Sequence, residues 1–128
     1  MENDCMKHGA FSWFELMTTD VEGAKNFYSE LFGWEFETSP MPGFDYIEIK
    51  VNGKSVAGMM AQPEECKGLP PSWDSYITVD DVDATAAKVT ELGGKVLRAP
   101  ADIPEVGRFC VLQDPQGAVI MAFTYFRK

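Results

Sequence analysis

Residues 61 positions apart match along much of this chain, and that internal repeat constrains its fold more than any other feature. Asp20 and Val21 fall on Asp81 and Val82, Glu30 and Leu31 on Glu91 and Leu92, and Gly33 on Gly94. Met60 falls on Met121, and Trp13 on Asp74. A single identity at a fixed offset is noise. A run of them in one register, with similar local patterns around each, marks a duplicated structural unit.

Both copies read as strand, helix and three further strands. Phe11 to Thr18 and Trp73 to Val79 are rich in aromatic and β-branched residues, as strands are. Asp20 and Asp81 follow as helix N-caps whose carboxylates accept orphan backbone N–H groups. Val21, Ala24, Phe27, Tyr28 and Leu31 make an apolar stripe at helical spacing, and Val82, Thr85, Ala86, Val89 and Leu92 a weaker one. Gly33 and Gly94 stand where each helix is expected to stop. Three strands then follow in the first copy, at 34–38, 46–51 and 55–60, the last two joined by the tight-turn dipeptide Asn52-Gly53. In the second copy the strands are 95–99, 109–113 and 118–124, with Asp114-Pro115-Gln116-Gly117 as the turn. The Pro-rich stretch 62–72 links the copies. The expected fold is therefore α+β: two tandem βαβββ units, about 10–61 and 72–124, within one domain spanning 1–128, since either half alone is small for a secure core.

Charge and composition remove several functions. The net charge of −9 argues against nucleic acid or an anionic membrane as partner, because either requires a basic face. Residues 1–10 lack the apolar core of a signal peptide and no apolar run reaches spanning length, so a cytoplasmic location is expected. Cys5, Cys66 and Cys110 are odd in number and show no CxxC spacing, which fits free thiols. There is no GxGxxG, Walker loop or GxSxG elbow, and the single histidine, His8, precedes the first strand.

A strand, an Asp cap, a helix running FYSELFGWEF and a late DPQG turn before the final strand resemble the vicinal-oxygen-chelate superfamily of glyoxalases, bleomycin-resistance proteins and extradiol dioxygenases. The resemblance covers essentially the whole chain and implies a sheet curled around a cavity with helices outside. It also implies up to four His, Gln or Glu metal ligands, one from the first and fourth strand of each unit. The first lies seven residues before the capping Asp and the last seven residues after the Asp of the DPxG turn, which gives Trp13, Asp74 and Met121 here, and the offset of 61 adds Met60. Trp cannot ligate a metal, thioethers are poor ligands for magnesium, zinc, manganese or iron(II), and one carboxylate is not a site. Neither metal nor cofactor is expected.

Strand alternation extends the cavity lining from those positions. Glu15 shares a face with Trp13, Tyr76 with Asp74, and Phe123 with Met121. The expected lining is aromatic and Met-rich with the carboxylates Glu15 and Asp74, as in small-molecule pockets. Glu15, on a central strand beside Trp13, suits general-base work or the binding of a cationic or hydroxyl group. The ordinary account of it, which stands ahead of the functional one, is a salt bridge to Arg108 or exposure at the cavity mouth. The Trp and Met residues serve packing or a subunit interface as readily as a ligand. The function expected is metal-independent binding of an apolar or aromatic small molecule. The alternative is an enzyme of the same superfamily, acid/base-driven through Glu15 or metal-dependent. A homodimer is expected, with Trp34, Phe36, Met41 and Phe44 as its apolar area.

Overall fold

The computed structural model describes residues 6–41, 44–63, 68–104 and 106–126, with the side chains of Met41 and Phe44 excepted. Along the chain come β1 (Phe11–Thr18), α1 (Val21–Phe32), β2 (Glu35–Met41), β3 (Phe44–Val51), β4 (Lys54–Ala61), β5 (Ser72–Thr78), α2 (Val82–Glu91), β6 (Lys95–Ile103), β7 (Gly107–Gln113) and β8 (Val119–Tyr125). The chain is α+β, built as βαβββ twice. Trp13–Asp74 form one unit; the described residues up to Ser12, with those from Ser75 onward, form the other. The division falls inside β1 and β5, not in the 62–72 connector. Part of the reason is hydrogen bonding: Gly9 N–H donates to the Thr78 carbonyl at 2.7 Å, and Thr78 N–H to the Ala10 carbonyl at 2.8 Å.

In the Trp13–Asp74 unit, β3 runs antiparallel to β2 and β4, and β4 parallel to β1. One sheet face carries Leu16, Ile47, Ile49, Ala57 and Met59, against which Val21, Ala24 and Tyr28 of α1 pack. Ile49 and Met59 are fully buried, each contributing about 1.5–3 kcal/mol of burial. Asp20 caps α1 by accepting from Gly23 N–H at 2.9 Å, and Gly33 closes it in the left-handed region at φ 75°. The predicted stripe is only partly interior: Phe27 and Leu31 are 59% and 56% exposed. Phe14, which alternation places on the same strand face as Leu16, is exposed as well. Trp34 and Phe36 are partly buried and pack against the core. The indole of Trp34 stacks on Tyr28 at 5.2 Å, and Trp73 meets both rings edge-on.

The second unit repeats the pattern. β8 runs parallel to β5 and antiparallel to β7, which pairs antiparallel with β6. Its core joins Val82 and Ala86 of α2 to Val79, Cys110, Leu112 and Ala122. Asp81 caps α2 by accepting from Ala84 N–H at 3.1 Å. Here the helix stop differs from the expected one: Gly93, not Gly94, takes positive φ. Gly94 is needed for another reason, since a Cβ there would lie 2.6 Å from the Gln113 carbonyl oxygen. Leu92 is exposed rather than completing the stripe. Asn52 and Gly53 both have positive φ, as their hairpin requires, and Asp114 accepts from Gln116 and Ala118 N–H to close the other turn. Strands β2 and β6 run past the expected ends at Thr38 and Ala99, through Pro40 and Pro100. Both are edge strands, where a missing N–H costs no ladder bond. Cys5 and Cys66 lie outside the described residues. Cys110 is a buried free thiol, and burial pushes its pKa up.

Candidate functional site

Each sheet has one face packed on its helix and an opposite face that the helix of its own unit leaves open, although several side chains on that face are themselves buried. In the Trp13–Asp74 unit, alternation from Leu16 places Trp13, Glu15 and Met17 on the open side. Glu15 is only 5% exposed. No buried side-chain nitrogen or oxygen among the described residues lacks a hydrogen-bond partner, so this carboxylate is not an orphan. Glu15 stands opposite Gly58 of β4, and Gly58 opposite Glu48 of β3. A Cβ on Gly58 would come within 1.7 Å of the Tyr46 phenol oxygen, so the Tyr46 side chain occupies that space. The Trp13 indole N–H donates to the Tyr46 hydroxyl at 2.7 Å, fixing both rings. Beside them Glu48 accepts from the hydroxyls of Ser55 and Ser39, and Lys50 pairs with Glu37. The Ser55 hydroxyl foremost holds the Glu48 carboxyl below its ordinary range, against the opposing effect of burial.

Two more predicted residues belong to this unit. Met60 is half-buried and lines an open groove of about 720 Å³ with Val21, Lys25, Thr38 and Ile47. Asp74 is partly buried, which raises its pKa, while the Ser72 hydroxyl donates to it at 3.3 Å and opposes that rise. It is therefore not the solvated group that its place beside Pro70-Pro71 suggests.

The open face of the second unit is a cluster of rings. Tyr76, Met121 and Phe123, all predicted, are 6%, 5% and 4% exposed. Phe123 meets Tyr76 edge-on at 5.7 Å, lies 4.3 Å from the Tyr125 ring and stacks with Phe109 at 6.5 Å. The Tyr125 hydroxyl donates to Ser12 Oγ at 2.8 Å, anchoring its ring. Over Phe109, with its guanidinium carbon 5.1 Å from the ring centre, lies Arg98. Sequence reasoning missed Arg98, Phe109, Tyr125 and Tyr46. The period-two reading outward from Met121 stops at Phe123, one step short of Tyr125 on the same strand, and it does not reach β3, β6 or β7, whose register depends on their partners.

The positions that the family resemblance singled out do not fit a metal. Glu15 pairs with Gly58 in the first unit and Tyr76 with Met121 in the second. The first strands are thus offset by 61 but the last strands by 63, because α2 ends one residue sooner than α1 (Gly93 against Gly33), while β6 carries two register shifts and the turn after it is one residue longer. The counterpart of Met121 is Gly58, not Met60. Trp13, Gly58, Asp74 and Met121 offer one carboxylate, one thioether, an indole N–H already committed to Tyr46, and no side chain at all. Among the described residues, no three His, Cys, Asp or Glu side chains converge as a metal would require. Arg108 is not set aside for Glu15: its guanidinium forks between Asp83 and Asp102. His8 is exposed but not idle, since its Nδ1 accepts from Asp80 N–H at 3.0 Å.

Comparison with known proteins agrees with this fold. The model of the Glyoxalase/Bleomycin resistance protein/Dioxygenase superfamily matches residues 10–122. CFP32 of Mycobacterium bovis, provisionally named a glyoxylase, is 41% identical over 117 residues, 89% of this chain and 45% of that protein. The anthracycline biosynthesis protein DnrV of Streptomyces peucetius is 34% identical over 133 residues, 94% of this chain and 47% of that protein. The chain spans about half the length of these relatives. Among solved structures, methylmalonyl-CoA epimerase of Mycobacterium tuberculosis superposes with a TM-score of 0.64 at 16% identity, covering 93% of this chain and 89% of the epimerase. At that identity the likeness is one of fold.

Proposed function

Because the chain belongs to the Glyoxalase/Bleomycin resistance protein/Dioxygenase superfamily, we propose that it keeps the fold's small-molecule role without its metal, binding an aromatic or apolar compound. The observation that carries this reading is the ring cluster of Tyr76, Phe109, Phe123 and Tyr125 on one open sheet face. Such rings supply large apolar area and specific stacking geometry, worth about 0.5–1.5 kcal/mol per ring pair beyond burial alone. An anthracycline is a fused-ring aromatic compound, so the name of the Streptomyces relative points to the same ligand class. The metal-free character rests on the donor set: an indole, a thioether, a glycine and one carboxylate.

The test joins elemental analysis to binding. Dialysed protein is expected to hold no stoichiometric zinc, nickel, manganese or iron, and to bind 2-naphthamide with the same affinity with or without a chelator. About one metal per chain, or binding lost on chelation and restored by the metal, overturns this reading. A second reading, an enzyme driven by acid/base chemistry at Glu15, is favoured by one observation: that carboxylate is 5% exposed on a face shared with Trp13, Tyr46 and Glu48. The epimerase fold neighbour is compatible with either reading and decides neither.

A further inference from the structure

We propose that the groove beside the start of α1 is a further ligand site, one that takes a primary ammonium group carried on a short aliphatic body. It is independent of the aromatic face and stands even if that reading falls. Every described residue that lines it belongs to the Trp13–Asp74 unit, and its volume of about 720 Å³ is that of a small-molecule pocket. Alternation along β3 places Asp45 on the same sheet face as Ile47, the face that packs on α1. Ile47 stands opposite Thr38 of β2, so Asp45 and Thr38 are diagonal neighbours across the two strands. Buried Ile47, with half-buried Val21 and Met60, supplies the apolar part of the lining.

The polar groups of the groove that remain available are of one kind. Gln62 Nε2 donates to the Leu69 carbonyl at 2.7 Å, which leaves its Oε1 as an acceptor. The Thr38 hydroxyl and the Asp45 carboxylate are exposed and have no protein partner among the described residues. The cation among the described lining residues, Lys25, is already engaged: its ammonium lies 3.3 Å from Glu22. That pair is neutral as a whole, so the charge left over in the groove is Asp45. A carboxylate, an amide oxygen and a hydroxyl match an ammonium, which brings three N–H donors and no acceptor. An anionic ligand would meet Asp45 and compete with Glu22 for Lys25. The net charge of −9 favours a cation at longer range as well.

The experiment titrates the full chain with hexylammonium, hexyltrimethylammonium and 1-hexanol, and follows binding by NMR shifts of the groove residues. Hexylammonium is expected to bind at least about tenfold tighter than 1-hexanol. It should also exceed the trimethylated ion, which keeps the charge but has no N–H to donate. Asp45→Asn should bring hexylammonium to within about twofold of 1-hexanol, with the melting temperature little changed, as for an exposed residue. Thr38→Val, a second variant, should weaken hexylammonium by about two- to tenfold, the worth of one hydrogen bond. Glu91→Gln removes the same charge at the end of α2, outside the groove, and should leave all three affinities as they were. Absence of hexylammonium binding, equal affinity for hexylammonium and 1-hexanol, or a preference that survives Asp45→Asn overturns the site. An equal loss on Glu91→Gln overturns it too, because the attraction would then belong to the acidic chain at large.

Discussion

At the scale of single residues, Glu15 carries the most chemical information. A carboxylate that is 5% exposed must be paired, hydrated or used, since an unpaired buried charge neutralises itself or destabilises the fold. Glu15 is not without partners, so the question is whether its engagement serves a ligand. Glu15→Gln preserves shape and removes the charge. If Glu15 acts on a ligand, affinity or turnover for an identified ligand should fall by at least about tenfold, ~1.4 kcal/mol, with folding intact. If it is structural, the melting temperature should move and the ligand should not notice. Both quantities measured on the same protein separate the roles, and unchanged affinity and turnover would pass the candidacy to Asp74. Alternation from Trp13, the position that the family resemblance supplied, identified Glu15, and the buried Leu16 beside it fixes the same two faces. Arg98 was not legible in that way: its side depends on a bulge, and a bulge is set by the partner strand.

At the scale of elements, most of the architecture could be read from the chain. The Asp20 and Asp81 caps, the Asn52-Gly53 hairpin and the Asp114 turn are local hydrogen-bonding devices, written in the residues that make them. Three features were not legible. Strands β2 and β6 run through Pro40 and Pro100, because an edge strand tolerates what a central strand does not. The offset of 61 drifts to 63 by the last strands, because the end of α2 drops one residue and β6 with its turn gains three, without disturbing the first strand or the helix N-cap. The Trp13–Tyr46 bond joins residues 33 positions apart, beyond the reach of any periodicity. That bond rests on Gly58, and its dependence can be measured. Gly58→Ala would set a methyl 1.7 Å from the Tyr46 oxygen and 2.3 Å from the ring carbon that bears it, so the ring must leave. Its cost is expected to be about 1–3 kcal/mol, the usual range for overpacking, with a change in tryptophan fluorescence as Trp13 loses its partner. In a Tyr46→Leu background the same substitution should cost much less. Equal costs in the two backgrounds would show that the tyrosine does not sit where its contact with Gly58 requires.

At the scale of the whole molecule, the exposed apolar surface and the charge pull in opposite directions. No helix among the described residues is long and apolar enough to cross a membrane, yet α1 presents Phe27, Leu31 and Phe32 at 56–59% exposure, with Trp73 at 43%. The rings among these adjoin one another through Tyr28, and Leu31 lies one turn along from Phe27. Apolar area grouped in this way, rather than scattered, is what association surfaces look like. Trp34 adjoins Phe32 and Trp73, and we propose this patch as the seat of a homodimer. Two-fold pairing, in which a patch meets itself, is the commonest assembly of soluble proteins. The opposing term is the net charge of −9 on each copy, which repels at long range and is screened by salt. Sedimentation should therefore show a species of twice the 14.2 kDa chain mass, with dimerisation strengthening as salt rises, opposite to the trend expected of an interface held by ion pairs. Leu31→Glu should leave a folded monomer, because it sets a carboxylate in the patch of each copy while touching no core residue. A single 14.2 kDa species at micromolar concentration would overturn the dimer, and a Leu31→Glu protein that still pairs would move it to another face.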